Sequence, residues 1–348
     1  GYVMSNINVM KPIIWALLLL IAMALPDYYI YTSYIDQLHN IAVSILWWLP
    51  TLIAVSAFAA AQAGIYHNAM FRTFFGISMA CATPKLVFSL VDLVLGPTIA
   101  IIVAVSLIAA IAYGVMYGWR RIVVRTASCR SSRLPSAFHG YRILQLSDIH
   151  IGTFLQNPKF ITKLVEAVNR QQPDLVVFTG DLINTDAHEL LPFRKVLSQI
   201  RAKDGVLSVM GNHDYCEYSQ DAAQPIHGRR ELHAHRSRRL LEYLQEKMGW
   251  RMLMNENVML QRGSDSIAII GVENIGKPPF KSFGNLDKAM AGLPADCFKV
   301  LLSHDPTHWR RGVLNKTDIS LTLSGHTHAG QVKIGRFSPA KWAYNEWG

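Results

Sequence analysis

Charge is scarce in this chain of 348 residues. Only 17% of the residues are charged, while 51% are hydrophobic, whereas a soluble domain carries about 25% charged residues. Such a composition excludes intrinsic disorder, because the chain can bury ample apolar surface. The charged residues of region 1–119 are Lys11, Arg72, Lys85, Asp27, Asp36 and Asp92, which cancel, so the rest of the chain carries the entire net charge of +10. The contrast predicts a membrane region followed by a basic soluble region.

Cysteine is also scarce. Cys81, Cys129, Cys216 and Cys297 lie far apart, and none of them forms a C-x-x-C pair. This spacing excludes a disulfide framework and favours reduced, unpaired thiols in a reducing compartment.

Long apolar runs are abundant in the first region. A bilayer core requires roughly 20 mostly apolar residues in a helix, and four segments qualify, at about 12–34, 41–65, 74–95 and 97–119. We predict a transmembrane domain of four helices over 1–119, with the last two joined by a tight turn at Gly96-Pro97. The first segment also resembles a secretory signal, since Lys11 precedes an apolar run that reaches Ala22-Met23-Ala24. Its continuation into several tyrosines, which suit a membrane interface, favours a span.

Lysine and arginine are missing from two of the connections, the loop 27–40 and the turn at Gly96-Pro97. The other flanks contain seven basic residues: Lys11, Arg72, Arg120, Arg121, Arg125, Arg130 and Arg133. Because cytoplasmic flanks of membrane helices are enriched in these residues, we predict that both termini and the soluble region are cytoplasmic. Residues 120–139 are interpreted as an arginine-rich linker.

Two charged residues, Lys85 and Asp92, lie inside the third segment and seven residues apart, on one side of a helix. Charges at this depth are costly and either mark a transport pathway or are neutralised by pairing. No further acidic series accompanies them, so we favour pairing, with each other or with another helix.

From residue 140 the pattern changes to short apolar runs that alternate with amphipathic stretches, which predicts a layered α/β domain over 140–348. The predicted strands are Tyr141–Leu146, Leu175–Phe178, Val206–Val209, Ser266–Gly271, Lys299–Leu302 and Ile319–Leu323. The predicted helices are Pro158–Arg170, Ala187–Ile200, Arg230–Lys247 and Leu286–Ala291.

Residues of the types that bind metals directly follow five of these strands. The five blocks are Asp148-Ile-His150, Gly180-Asp181, Gly211-Asn-His-Asp214, His304-Asp305 and Gly325-His-Thr-His328. Because ligands bind at the carboxyl ends of strands in α/β sheets, these scattered residues can converge on one site. Carboxylates, an amide oxygen and imidazoles without cysteine suit Mn, Fe or Zn and argue against a structural zinc.

In this order, the blocks D-x-H, G-D, G-N-H-D, H and G-H-x-H resemble the calcineurin-like metallophosphoesterase superfamily, over about Tyr141 to Ile334. The chain is most similar to the bacterial membrane-anchored branch, which implies a bacterial inner membrane. The resemblance replaces an open sheet by a sandwich of two mixed β-sheets flanked by helices. Since the family continues with a further strand and a glycine-rich loop, the domain is expected to be C-terminally incomplete.

The resemblance also implies a role for each residue around two divalent metal ions, with manganese favoured over iron or zinc. Asp148, His150 and His328 would hold the first ion, Asn212, His304 and His326 the second, and Asp181 would bridge both. A hydroxide that bridges the metals would hydrolyse a phosphoester or pyrophosphate bond. His213 would stabilise charge or protonate the leaving oxygen, and Asp214 would orient a neighbouring group or serve as a turn or cap residue.

An arginine-rich stretch, His227–Arg239, lies between the third and fourth blocks. Its arginines are Arg229, Arg230, Arg236, Arg238 and Arg239, and the following leucines predict an amphipathic helix with a basic side. That side would bind substrate phosphate or anionic lipid headgroups, or would simply be solvated. The stretch lacks interleaved aromatics and any reading motif, so a nucleic-acid partner is not expected.

We therefore interpret the chain as a membrane-embedded, dimetal-dependent phosphohydrolase. A short linker to the membrane helices favours a lipid-linked phosphate substrate, and the superfamily includes hydrolases of a lipid A precursor pyrophosphate. One alternative is an anchored phosphodiesterase or phosphatase of soluble cyclic nucleotides or phosphoproteins. Another is a non-catalytic sensory or scaffold module, which the complete ligand set disfavours.

Overall fold

The computed structural model describes residues 21–62, 74, 76–216, 229–276 and 282–328, without the side chains at 61–62, 119 and 229–234. The chain divides into two compact units, Gly1–Arg121 and Ile122–Gly348, each of which is described by itself below.

Apolar helices form the first unit. Residues 21–30 are helical (α1), α2 spans Ile41–Gln62, α3 spans Thr83–Leu95 after a π-helical turn at Ser78–Ala82, and α4 spans Pro97–Met116. Three stretches, Ile41–Ala60, Ser78–Leu95 and Pro97–Met116, are long and apolar enough to cross a membrane, which confirms three of the predicted segments. The first predicted segment and the signal-sequence alternative lie partly outside the described residues.

Residues 21–34, the described part of the predicted segment 12–34, are helical as expected, but the helical run continues to residue 38, so the predicted connection before α2 is wrong in its length. Asp27 lies in α1, and the chain continues through a π-helical turn at Tyr31–Ile35 and a 3-10 turn at Asp36–Leu38. Only residues 39–40 separate this run from α2. The Asn40 side chain caps α2 by accepting hydrogen bonds from the N–H groups of Ala42 and Val43, at 3.0 and 3.3 Å.

A buried ion pair joins α1 to α3. The Lys85 ammonium lies 2.5 Å from Oδ1 of Asp27 and 4.0 Å from the centre of the Trp47 ring. The Thr51 hydroxyl donates to the other carboxylate oxygen of Asp27, so α2 contributes to the same cluster. The charge of Lys85 is therefore neutralised by another helix and not by Asp92.

The other charged group of α3, Asp92, also has its partners in the first helical run. Its carboxylate accepts hydrogen bonds from the hydroxyls of Tyr29 and Tyr34, at 2.9 and 2.6 Å. Tyr29, one of the tyrosines that the sequence assigned to a membrane interface, thus contributes its hydroxyl to a polar contact between helices.

Two four-stranded sheets form the centre of the second unit, as the resemblance implied. The first contains the parallel strands β1 (Ile143–Leu146), β2 (Leu175–Thr179), β3 (Val206–Val209) and β4 (Trp250–Met252), in that order. The second contains β5 (Glu256–Arg262), β6 (Asp265–Gly271), β7 (Phe298–Leu302) and β8 (Leu321–Leu323), of which only β5 is antiparallel to its neighbour. Only the second sheet is therefore mixed among the described strands.

The alternation of side chains along β2 builds two apolar layers. Val177 faces the second sheet, where it joins a buried cluster with Ile269. Val176 and Phe178 face the opposite way and belong to a cluster with Ile161 of helix α5 (Lys159–Arg170). All five residues of β2 are buried, and each of its four apolar side chains contributes about 1.5–3 kcal/mol by burial. Both faces of this strand are thus covered, which explains its continuous apolar run.

The helices of this unit differ from the predictions mainly at Ala187–Ile200. There the chain forms a 3-10 helix at Ala187–Phe193 and a short α6 at Arg194–Leu197, because Pro192 lacks an N–H for an interior helical bond. Helices α7 (Arg229–Lys247) and α8 (Leu286–Met290) lie where they were predicted. Strands β4 and β5 were not predicted.

The last part of the predicted linker packs on the second unit. Phe138 is buried in its core, and the Arg133 guanidinium donates to the Asp318 carbonyl oxygen at 2.8 Å. The Ala137 N–H donates to the Asp265 carboxylate at 3.0 Å. The chain is thus fixed to this unit from about Arg133 onward.

Candidate metal centre

The five predicted motif blocks follow the carboxyl ends of β1, β2, β3, β7 and β8, and hydrogen bonds between them interlock the loops. The Asp148 N–H donates to the Gly180 carbonyl oxygen at 2.9 Å, and the Gly325 N–H donates to the His304 carbonyl oxygen at 2.9 Å. The His326 N–H donates to the Asp148 carboxylate at 3.0 Å. These contacts bring residues far apart in the sequence to one place.

One group of four side chains, Asp148, His150, Asp181 and His328, directs its metal-binding atoms to a common point, with all of them within 4.8 Å of one another. Nε2 of His150 lies 3.1 Å from Nε2 of His328 and 3.7 Å from a carboxylate oxygen of Asp181. Nε2 of His328 lies 3.2 Å from a carboxylate oxygen of Asp148. The spacing suits ligands of one cation.

A second group, Asp181, His304 and His326, meets the same distance limit. Nε2 of His304 lies 3.1 Å from Oδ2 of Asp181 and 3.2 Å from Nδ1 of His326. The side-chain oxygen of Asn212 is also 3.2 Å from Nε2 of His304. Asp181 is common to both groups, as expected of a carboxylate that bridges two cations.

Backbone carbonyls fix the tautomers of two histidines. Nδ1 of His304 lies 2.8 Å from the Thr179 carbonyl oxygen, and Nδ1 of His150 lies 3.2 Å from the Ile183 carbonyl oxygen. Since a carbonyl can only accept, Nδ1 carries the hydrogen in both rings. A neutral ring then presents the Nε2 lone pair to the cluster, the arrangement in which histidine binds metals.

The backbone of the site is held in an unusual conformation. Five of the seven predicted ligands have positive φ values between 46° and 73°: Asp148, His150, Asp181, His326 and His328. Residues other than glycine rarely adopt this region, and such strain concentrates at functional sites. Gly180 permits the close packing, because a Cβ there would lie 2.7 Å from Nδ1 of His304.

Asp214 connects the second and third motif blocks. Its buried carboxylate accepts hydrogen bonds from the N–H groups of Gly211, Asp181, Leu182 and Ile183, at 2.8 to 3.2 Å. Of the two roles considered from the sequence, the structure favours orientation of a neighbouring group, because Asp214 holds the loop that presents Asp181. The sequence carries no signal for these four contacts.

The electrostatics of the cluster suit cation binding. Burial lowers the pKa of His150 to about 4, so this ring is neutral at neutral pH. Burial acts in the same direction on His304, but the Asp181 carboxylate outweighs it and raises the pKa to about 9. Burial opposes ionisation of Asp181, yet the charge of His304 and its hydrogen bond hold the pKa of that carboxyl well below its usual value. A cation would therefore displace a proton at His304.

The donor set fits two divalent metal ions. It consists of two carboxylates, one amide oxygen and four imidazoles, and neither described group contains a thiol. Such mixed nitrogen and oxygen ligands suit Mn, Fe or Zn, whereas structural zinc sites use cysteine.

The five predicted substrate-binding arginines differ in what the structure describes. Arg236 and Arg239 are exposed, while the Arg238 guanidinium lies 3.2 Å from the buried carboxylate of Glu273. The side chains of Arg229 and Arg230 lie outside the described residues. Substrate binding by these arginines stays a prediction.

A family model described as "Calcineurin-like phosphoesterase" matches residues 141–330, more than half of the chain. The chain is 30% identical over 249 residues to "Transmembrane protein with metallophosphoesterase domain" of Bos taurus, which covers 69% of this chain and 51% of the bovine protein. It is 29% identical over 246 residues to "Uncharacterized metallophosphoesterase YkuE" of Bacillus subtilis, covering 66% and 75%. It is 27% identical over 240 residues to "UDP-2,3-diacylglucosamine pyrophosphatase LpxG" of Chlamydia muridarum, covering 58% and 68%. The chain thus spans about half the length of its bovine relative.

Proposed function

Because the chain belongs to the calcineurin-like phosphoesterase family, whose members are metal-dependent phosphohydrolases, we propose that it hydrolyses a phosphoester or pyrophosphate bond with two divalent cations. Its three candidate membrane spans and its transmembrane relative make it a membrane-associated member. The observation that carries the proposal is the Asp181 carboxylate, which belongs to both ligand groups.

Seven side chains would hold the two ions. Asp148, His150 and His328 would bind one, Asn212, His304 and His326 the other, and Asp181 both. Bound there, the ions supply positive charge that polarises a phosphoryl oxygen and activates water for in-line attack. Manganese is the proposed metal, and iron and zinc are the alternatives that the same nitrogen and oxygen ligands accept.

His213 would act on the leaving group. Its Nδ1 donates to the Asn184 carbonyl oxygen at 2.7 Å, which fixes the orientation of the ring, so that Nε2 would serve the leaving oxygen. Its ring lies edge to face with His150, with 4.6 Å between ring centres, and so borders the metal ligands. A general acid placed in this way contributes about 10²–10⁴-fold to the rate.

The proposed substrate class is a lipid-linked phosphate or pyrophosphate. Three apolar helices on the same chain as the catalytic unit support it, as does the similarity to a relative named for a diacylated sugar-nucleotide pyrophosphate. The excess of lysine and arginine outside the two connections that lack them supports an orientation with the catalytic unit in the cytoplasm, and the bacterial relatives support a bacterial inner membrane. The exposed Arg236 and Arg239 would contact the anionic part of such a substrate.

A substrate panel tests this proposal. The purified full-length chain, stripped with a chelator and reloaded with manganese, is assayed on UDP-2,3-diacylglucosamine, a cyclic nucleotide and an aryl phosphodiester. We expect manganese-dependent hydrolysis, with the highest kcat/KM on the lipid pyrophosphate. A preference for the cyclic nucleotide would reject the lipid substrate, and metal-independent or absent hydrolysis of all three would reject the reaction.

A further inference from the structure

Glu189 binds an unusual number of backbone groups beside the proposed site. Its carboxylate accepts hydrogen bonds from the N–H groups of Asn184, Thr185 and Asp186, at 2.7, 3.1 and 3.2 Å. It also accepts a bond from the Thr185 hydroxyl at 2.9 Å. Glu189 is the third residue of the 3-10 helix Ala187–Phe193, whose N-cap is Asp186. A glutamate in a capping box binds only the N–H of the N-cap residue, so the other three contacts need another explanation.

One of these contacts leads directly to His213. The N–H of Thr185 and the carbonyl of Asn184 belong to the same peptide group, which is planar and rigid. The N–H side of this peptide is bound by Glu189, and the carbonyl side accepts from Nδ1 of His213 at 2.7 Å. A negative charge at one end of such a chain of hydrogen bonds polarises the peptide and strengthens the bond at its other end.

Gly152 leaves the space that the Glu189 carboxylate occupies. A Cβ atom on Gly152 would lie 2.5 Å from the Glu189 carboxylate and 2.8 Å from the Asn184 side chain, so a larger residue at 152 would push Glu189 away. The Asn184 side chain donates to the Thr153 hydroxyl at 3.1 Å, which joins the loop after β1 to the same assembly. Asn184, whose carbonyl His213 uses, is therefore held through its side chain as well as through its peptide.

We propose that Glu189 is a positioning residue for His213: by binding the Asn184–Thr185 peptide, it sets the direction and strength of the carbonyl that orients the imidazole. Glu189 belongs to neither of the two ligand groups, so it acts through the peptide and not on the metals. The inference rests on the proposed role of His213 toward the leaving oxygen, and nothing in the sequence motifs indicates it.

Glu189→Gln tests the inference, because it keeps the length of the side chain and removes its charge. A carboxamide can accept from one or two of the four donors, but its NH₂ group then faces a backbone N–H. Glu166→Gln is the matched control, since Glu166 is exposed on α5 and has no part in the proposed site. Both are made in the full-length chain, beside His213→Ala and the double variant Glu189→Gln/His213→Ala.

The main readout is turnover of two manganese-dependent aryl phosphodiester substrates that differ in the acidity of the leaving phenol. A group that serves a general acid matters most when the leaving group is poor. We expect Glu189→Gln to lower kcat on the less acidic phenol by roughly 10–100-fold, within the range that a general acid contributes. On the more acidic phenol the loss should stay below about threefold, with KM unchanged on both substrates. Glu166→Gln should match the unmodified chain, and the double variant should be no slower than His213→Ala.

Two measurements separate positioning from a loss of fold or metal. Manganese bound per chain should be unchanged in Glu189→Gln, and amide hydrogen exchange should increase at residues 184–186 without a change at Asp148 or His304. If His213→Ala itself shows no dependence on the leaving group, the proposed role of His213 fails and this inference fails with it. Suppose that His213→Ala shows that dependence. The Glu189 inference alone is then overturned if Glu189→Gln lowers kcat equally on both substrates, lowers kcat on neither, or slows the His213→Ala variant further.

Discussion

The two units of this protein both bury an aspartate, but they surround it with different partners. In the membrane unit Asp27, with 0% of its surface exposed, is met by the Lys85 ammonium and the Thr51 hydroxyl. In the second unit Asp181 has 2% of its surface exposed. One of its carboxylate oxygens lies 3.7 Å from Nε2 of His150 and 3.1 Å from Nε2 of His304. A lysine ammonium and a hydroxyl complete the first cluster, whereas the second is built of imidazoles, which become electron-pair donors to a metal once Nε2 has lost its proton. The comparison teaches that the partners of a buried charge, and not its burial, identify a metal site.

Asp92 and Asp214 extend the same comparison. Asp92 in the membrane unit accepts from two tyrosine hydroxyls, and Asp214 accepts from four backbone N–H groups. Both are bound by hydrogen-bond donors and so have a structural role, although Asp214 lies next to the candidate ligands. Even next to the metal site, a carboxylate that is surrounded by N–H groups holds the backbone in place and does not bind the metal.

The largest expected effect comes from neutralising the shared carboxylate. Asp181→Asn removes charge from both cation positions, so we expect loss of most bound metal and a fall in activity of at least roughly 10³-fold, since a bound cation supplies several kcal/mol of charge stabilisation. The matched variant, Asp27→Asn, should retain the metal. Elemental analysis measures the bound metal in each variant, and turnover of an aryl phosphodiester measures the activity. Equal metal content in the two variants would contradict the comparison.

Breaking the ion pair of the membrane unit should have the next largest effect. Lys85→Met leaves Asp27 buried without a cation, and removing one partner of a buried pair costs about 3–5 kcal/mol. We expect a corresponding loss in the free energy of unfolding, measured by denaturant titration of the purified chain in detergent.

The control for this prediction is Lys85→Met combined with Asp27→Asn, which removes the uncompensated charge. Much of the lost stability should return in the double variant. If Lys85→Met alone is as stable as the unmodified chain, the pair does not hold α1 to α3.

A smaller loss is expected at Asp214. Asp214→Asn directs an NH₂ group at backbone N–H donors, and a buried unsatisfied group costs about 1–3 kcal/mol. The melting temperature should fall, and metal affinity should fall with it because the loop that presents Asp181 loosens. Thermal unfolding with and without manganese measures both effects. A variant that loses all metal without any loss of stability would indicate that Asp214 is itself a ligand.

The smallest effect is expected from two cysteine substitutions that leave stability unchanged and test on which side of the membrane each connection lies. In a background with Cys129→Ser, a cysteine at Gln37 should react with an impermeant thiol reagent in intact cells, and a cysteine at Ser131 should react only after lysis. The reason is the absence of lysine and arginine around Gln37 and their abundance around Ser131. Labelling of Ser131→Cys in intact cells would reverse the proposed orientation.

Much of the fold was predictable because it depends on local pattern. Apolar runs of sufficient length identified three helices that could cross a membrane, and short apolar runs identified the strands β1, β2, β3, β6, β7 and β8. Strands β4 and β5 were missed for a physical reason. Trp250–Met252 has only three residues, and the residues of Glu256–Arg262 are mostly half-buried, so neither shows a distinct period. Pro192 is a sequence signal for the break between the 3-10 helix and α6.

The sequence alone determined which residue types stand at the ends of the strands and therefore which side chains could bind metal. Only the tertiary structure decided how they are used. The family resemblance already implied two groups of ligands that share Asp181, but the distances within those groups, the left-handed backbone at five of the ligands, and the contacts of Asp214 and Glu189 all arise from loops that meet after folding. The partner of Lys85 was decided in the same way, since Asp27 lies 58 residues earlier. Periodicity reports the environment of a residue along its own element, whereas these contacts depend on which other elements pack against it.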